Sequence, residues 1–285
     1  MVKGIRTFAL ACLLATGFAP AGETGSFANR AQKLLANGQY SDALRMLHSA
    51  LQASAKEADL VGEQRIRIDI AQILLHHQEY GLADSLLASV PEAKLDARAR
   101  LTFIRLRISM YNQQQQYVEA ARYFEEHRAL LNDDIPEGLH AAILLEGAVA
   151  EVGNKSAGSL DTLWDEVDDL LDDDGPGMTA YAKARIADLS GSQDEALKQY
   201  NTALGCAQKS LHSWLAGQIL YRLGEITKDT TESAAYYLRA AKLFLQLGLD
   251  RPFVASAEHY QALAQDDKEL AVALDQARER LNARQ

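Results

Sequence analysis

The chain has 285 residues, 39 acidic against 29 basic, and a formal net charge of −10. An acidic balance of this size argues against nucleic acid as a partner, because such binders carry clustered lysine and arginine. Only two cysteines are present, at positions 12 and 206, and they form no paired-cysteine metal motif.

Residues 1–21 read as an export signal, not as part of a domain. Lys3 and Arg6 are the only charges before Glu23, the apolar run FALACLLATGFA follows them, and Ala19-Pro20-Ala21 has the small-x-small form of a cleavage site. The run is too short to span a bilayer, which takes roughly 20 apolar residues. The expected mature chain starts at Gly22, carries a formal charge of −12 once Lys3 and Arg6 are gone, and is periplasmic or secreted. The alternative is a lipid anchor on Cys12 in ALAC, preceded by an apolar core of about six residues where export signals use ~7 or more.

From residue 22 onward the chain repeats itself. NGQYSDALRMLHSAL at 37–51 returns as HQEYGLADSLLASV near 80 and as QQQYVEAARYFEEH near 117. The small residue after the tyrosine marks each copy at Ala43, Ala83 and Ala120, then Ala196 in SQDEALKQYNTAL and Ala234 in TESAAYYLRAA, with early steps of 40 and 37 and a last step of 38. The gap from Ala120 to Ala196 is two steps of 38, so a degenerate copy is expected in GNKSAGSLDTLW, at Ala157 and Trp164. DDKELAVALDQA adds a final copy on Leu270, Leu274 and Ala277, giving about seven.

A spacing of four then three places Ala43, Leu47 and Ala50, or Ala196, Tyr200 and Ala203, on one face of a helix. Small residues there let a neighbouring helix come close. Upstream of each lies a second amphipathic segment, such as EQRIRIDIAQILLHH at 63–77 and ARLTFIRLRISMYNQ at 99–113. Each unit is therefore expected to be a helical hairpin, with glycine in connectors and proline at breaks. Irregularities are expected near 132–138 and 172–178. The predicted fold is all-α, an α-solenoid of stacked hairpins over residues 22–285 without a sheet.

The pattern G-x-Y-x-x-A with a large residue four further on and alanine three beyond resembles the tetratricopeptide repeat, in a form longer than the usual ~34 residues. Leu223-Gly224 also matches the Leu-Gly of that family. The resemblance implies a right-handed superhelix whose concave surface, lined by the first helix of each hairpin, holds peptides or helices of other proteins.

Catalytic motifs are absent: the sequence holds no H-E-x-x-H and no G-x-S-x-G. His76-His77 point about 100° apart on a helix and are read as ordinary surface or interface residues. GPGMTA at 175–180 imitates a dinucleotide fingerprint but follows three aspartates instead of a strand, and is read as a helix break. WDEVDDLLDDDG at 164–175 lacks the ligand spacing of a calcium loop and is read as a solvated acidic helix end. Neither an enzyme nor a cofactor is expected.

One stripe invites a binding role. Arg98, Thr102, Arg105, Ser109 and Asn112 stand at helical spacing, and the resemblance places them on the concave face. Arg65 and Gln72 in the preceding hairpin, and Tyr181 and Arg185 in a later one, fall similarly. Cationic and amide side chains in an acidic protein suit a protein or peptide partner with acidic groups. The competing account is a solvated face whose arginines pair with acids on the next repeat. The expected function is a non-catalytic interaction scaffold or adaptor. The alternative is a structural subunit of an envelope machine or enzyme complex, contacting it by the convex face or ends.

Overall fold

A computed structural model describes residues 22–131, 135–155, 160–170, 176–209, 212–264 and 267–283. The expected export signal, Ala157 and the Asp172–Gly175 break lie outside the described residues.

The described residues form fourteen α-helices: α1 (Gly22–Ala36), α2 (Tyr40–Glu57), α3 (Leu60–His76), α4 (Tyr80–Ala88), α5 (Ala97–Gln113), α6 (Tyr117–Arg128), α7 (Glu137–Gly153), α8 (Leu160–Leu170), α9 (Pro176–Leu189), α10 (Gln193–Lys209), α11 (Ser213–Ile226), α12 (Thr230–Gln246), α13 (Asp250–Leu263) and α14 (Lys268–Asn282). Sequential helices pack as hairpins, and the first helices α3, α5, α7 and α9 also touch one another in turn. Among the described residues there is no strand, and the fold is an all-α solenoid.

The buried stripes follow the repeat. Ala43, Leu47 and Ala50 on α2, Ala83 and Leu87 on α4, Ala120 and Phe124 on α6, and Ala196, Tyr200 and Ala203 on α10 are all closed to solvent. In α8 the buried residues are Leu163 and Val167, with Trp164 only partly covered. Leu163 holds the fourth position of its described helix, as Ala120 does in α6.

Glycines on first helices set the closest approaches. A Cβ at Gly147 of α7 would lie 2.6 Å from the Phe124 ring, and one at Gly217 of α11 would lie 2.5 Å from the Phe244 ring. Gly153 receives Tyr117 and Gly224 receives Tyr237 in the same manner. Aromatic knobs from second helices thus fill notches that only glycine leaves open.

Four of the hairpin turns share one device. The residue after the helix cap turns left-handed, at Gly38, Gln78, Gln115 and Gly191, and the next amide bonds the carbonyl five residues back, as in Gln116 N to Tyr111 O at 2.9 Å. Gln78 and Gln115 hold φ of 57° and 60°, a region costly for residues with a Cβ. Gln115→Gly is therefore expected to stabilise the protein by about 0.5–1 kcal/mol, and Gly191→Ala to destabilise it by a similar amount. The second effect is backbone strain alone, since nothing lies within 4 Å of a Cβ built at Gly191. Urea midpoints measure both.

The chain also curls back on itself. The α1–α2 turn meets the α12–α13 turn, where Gly38 faces Leu247 and Gly248 faces Ser41. Arg251 at the start of α13 pairs with Glu79 in the α3–α4 turn at 2.8 Å. One apolar core accordingly joins Tyr40, Leu47 and Ile70 of the first helices to Tyr200, Phe244 and Leu274 of the last.

Candidate functional site

The polar stripe lies on α5, which Asp96 caps by accepting from the Ala99 amide at 3.1 Å. Arg65 of α3 donates to the same carboxylate through Nε and Nη2 at 2.9 and 2.6 Å. Burial pushes the Asp96 carboxyl up, but the Ala99 amide and the Arg65 guanidinium outweigh it and hold the pKa below its usual range. Arg65 is thus a structural tie between two hairpins.

The four arginines of α5 fall into two pairs. Arg100 bonds Glu92 at 2.9 Å and Arg107 bonds Asp84 at 2.6 Å, both acids belonging to the preceding hairpin or its connector. Arg98 is exposed and makes no ion pair with any described residue. Arg105 is partly buried, and its Nε and Nη2 are closed to solvent without a hydrogen-bond partner. Each pair is seven residues apart, so each occupies its own face of α5. The face with Arg100 and Arg107 is used for packing hairpins together. The face with Arg98 and Arg105 is not neutralised.

Of the rest of the stripe, Thr102 and Asn112 are enclosed and Ser109 is half-buried. Thr102 is 2% exposed and donates to the Arg98 carbonyl at 3.0 Å. Gln72 on α3 is buried as well. Ser109 accepts from Gln113 Nε2 at 3.2 Å, and Gln113 Oε1 accepts from the Tyr80 hydroxyl at 3.5 Å. Asn112 donates through Nδ2 to the carbonyl and to Oε2 of Glu146 on α7, at 2.9 and 2.7 Å, while its Oδ1 is buried without a partner.

From α9, Arg185 donates to the Asn112 carbonyl at 3.5 Å. Burial acts against the Arg185 charge, yet Tyr181, Tyr200, Glu146 and Tyr117 together raise its pKa. Tyr181 meets Tyr200 edge to face, with centroids 6.1 Å apart. Asn112, Tyr181 and Arg185 of the expected set are therefore brought together, with Glu146 as an acid inside the cluster. Arg65 and Arg98 stand apart from it.

Sequence reasoning did not single out the aromatic seam at the end of α3. His76 at the end of α3 stacks on Trp214 of α11 at 4.3 Å and meets Tyr40 of α2 edge-on at 5.3 Å. Burial, then His77 and Arg105, push the His76 pKa down to about 3, so its ring is neutral at ordinary pH. Reading His76 as an interface residue agrees with this position, although its partner is a helix far along the chain. A tryptophan at the first turn of a first helix is the only local hint.

The acidic run at 164–175 is described only as far as Leu170, and there Glu166 pairs with Arg128 at 2.9 Å. Lys183 of α9 lies over the Trp164 ring, 5.2 Å from its centroid. Among the described residues, no group of three His, Cys, Asp or Glu is arranged to hold a metal ion. Nor is any described helix long and apolar enough to cross a membrane.

No protein-family model matches the chain. No curated protein matches it either. Among solved structures the chain is similar to a tetratricopeptide repeat protein from Parabacteroides merdae, at 12% identity over 90% of this chain and 98% of that one, with a TM-score of 0.45. It is also similar to a signal-transduction ATPase with numerous domains, bearing a tetratricopeptide repeat sensor, from Pyrococcus horikoshii, at 15% identity, 88% coverage of this chain and a TM-score of 0.49. The chain spans 41% of that second protein, and neither likeness bears on what the present chain binds.

Proposed function

We propose that this protein is a non-catalytic interaction scaffold, exported after removal of residues 1–21, which holds an acidic segment of a partner protein on the face lined by its first helices. The reading is carried by the contrast on α5, where Arg100 and Arg107 are paired with acids and Arg98 and Arg105 are not. Arg98, exposed and without an acid in a chain of net charge −10, is available to an incoming carboxylate, which it engages through paired hydrogen bonds, while half-buried Arg105 adds positive charge on the same face. Catalysis has no comparable support, since the enclosed cluster offers donors and neutral rings but no nucleophile beside a base.

A photo-crosslinker at Ser109, compared with one at the exposed Lys198 of α10, tests the binding face. A single adduct formed from 109, absent from 198 and lost on Arg98→Glu, supports the reading. Adducts formed only from 198 move the contact to the second helices. The intact mass of the exported protein tests processing. A chain starting at Gly22 agrees with the proposal, and a lipid adduct on Cys12 contradicts it.

The assembly-subunit reading rests on a different observation. Leu82 on α4, Val118 on α6 and Val272 on α14 are exposed at 59%, 62% and 59%, and all three belong to second helices. Large apolar side chains left in water there suit a partner that covers the outside of the stack, although Leu60 and Val61 at the start of the first helix α3 are exposed as well.

A further inference from the structure

The curl of the chain brings the first and last hairpins edge to edge. On one side of the seam lie the α1–α2 turn, the α3–α4 turn and the end of α3, and on the other the start of α11 and the α12–α13 turn. Leu247 is set against the backbone of Gly38, where a Cβ would meet it at 2.7 Å, Arg251 Nε donates to Glu79 Oε1 at 2.8 Å, and the His76 ring stacks on Trp214 at 4.3 Å. Turns and helix ends make these contacts, since no helix of the first two hairpins packs along its length against a helix of the last two among the described residues. The polar contacts hold weakly. Arg251 is 42% exposed, so water and salt screen its ion pair. His76 Nδ1 and Trp214 Nε1 are closed to solvent without a hydrogen-bond partner, so parting the two rings returns water to both.

We propose that this seam is a reversible clasp, along which the first and last hairpins part while every hairpin stays stacked on its neighbours in the chain. A solenoid permits this motion, because the interfaces between consecutive hairpins do not cross the seam. His76 and Trp214 both stand on first helices, so in the closed form each ring covers part of the first-helix face carrying the other. Opening uncovers both and lengthens that face. A partner that lies along the first helices binds the open form more tightly and shifts the protein toward it. This last step rests on the scaffold reading, whereas the opening itself does not.

The test is small-angle X-ray scattering with no partner present, so its failure is separate from any failure of the scaffold reading. Arg251→Glu sets two carboxylates against each other across the seam, and adding Trp214→Ala removes the ring stack as well. In both variants the maximum dimension is expected to grow by at least about 10 Å, the diameter of one helix, with the helical circular dichroism signal unchanged. The charge swap Arg251→Glu with Glu79→Arg restores the ion pair in reverse and is expected to return the wild-type dimension. Wild-type dimensions in Arg251→Glu with Trp214→Ala would show that the seam is fixed. Growth accompanied by loss of helical signal would make the seam part of the fold instead of a clasp, and a swap as extended as Arg251→Glu alone would remove the ion pair from it. Each of these three results overturns the proposal.

Discussion

Phe244→Ala is expected to cost about 3–5 kcal/mol, the largest single effect in the chain. Phe244 is 0% exposed and its ring presses on Gly217. Across that contact stands backbone alone, so no side chain can swing in to fill the space. Gly217→Leu by itself would overpack the same contact and cost about 1–3 kcal/mol. Combined, the leucine enters the volume the phenyl ring has left, so the double variant should be more stable than Phe244→Ala. A double-mutant cycle in urea measures the coupling, expected at about 1–3 kcal/mol. Simple additivity would mean that α11 and α12 are not locked through this notch.

Trp214→Ala has the next largest expected effect, about 2–3 kcal/mol, below the figure for a fully buried tryptophan because the side chain is only partly covered. Its distinctive consequence is positional. His76 loses its stacking partner, and the contact that brings α3 to α11 weakens. Amide hydrogen exchange should then quicken in the turns at 37–41, 76–80 and 247–251, which meet across the curled chain, while the α5–α7 contact keeps its protection. Unchanged exchange in those three turns would show that the second and sixth hairpins are held together by the apolar core alone.

What the sequence makes legible here is what is local. Ala43, Leu47 and Ala50, or Leu270, Leu274 and Ala277, announce their helix face because burial along a helix recurs at a fixed spacing, whatever the neighbour is. A copy with degenerate residues loses that protection. Between Ala120 and Ala196 a constant step points to Ala157, which lies outside the described residues, and the buried residues described on α8 are Leu163 and Val167; connector length varies freely while helix periodicity does not. The glycine notches are less visible still. Gly147 and Gly217 look like weak points in a helix until the rings of Phe124 and Phe244 are placed against them.

The same division runs through the site. Periodicity is enough to place Arg98, Thr102, Arg105, Ser109 and Asn112 on one stripe. It does not reveal that Thr102 and Asn112 are buried while Arg98 is exposed, since that depends on how α3 and α7 flank α5. Arg100 and Arg107 are as cationic in sequence as Arg98 and Arg105, and only the positions of Glu92 and Asp84 separate structural arginines from available ones. The His76–Trp214 stack joins residues on α3 and α11, a distance along the chain over which no pattern operates.

That separation of the α5 arginines is also the most direct way to test the scaffold reading. The measurement is the yield of the adduct formed by the crosslinker at position 109, compared across Arg98→Met, Arg105→Met, Arg100→Met and Arg107→Met at matched protein concentration. Loss of an acid-paired arginine should lower the melting temperature and leave the adduct, because Arg100 and Arg107 serve the packing of hairpins. Loss of Arg98 or Arg105 should leave the fold intact and reduce the adduct at least about tenfold, since each removes positive charge from the face that meets the partner. Equal loss in all four variants, or full yield in Arg98→Met and Arg105→Met, would contradict recognition on the first-helix face.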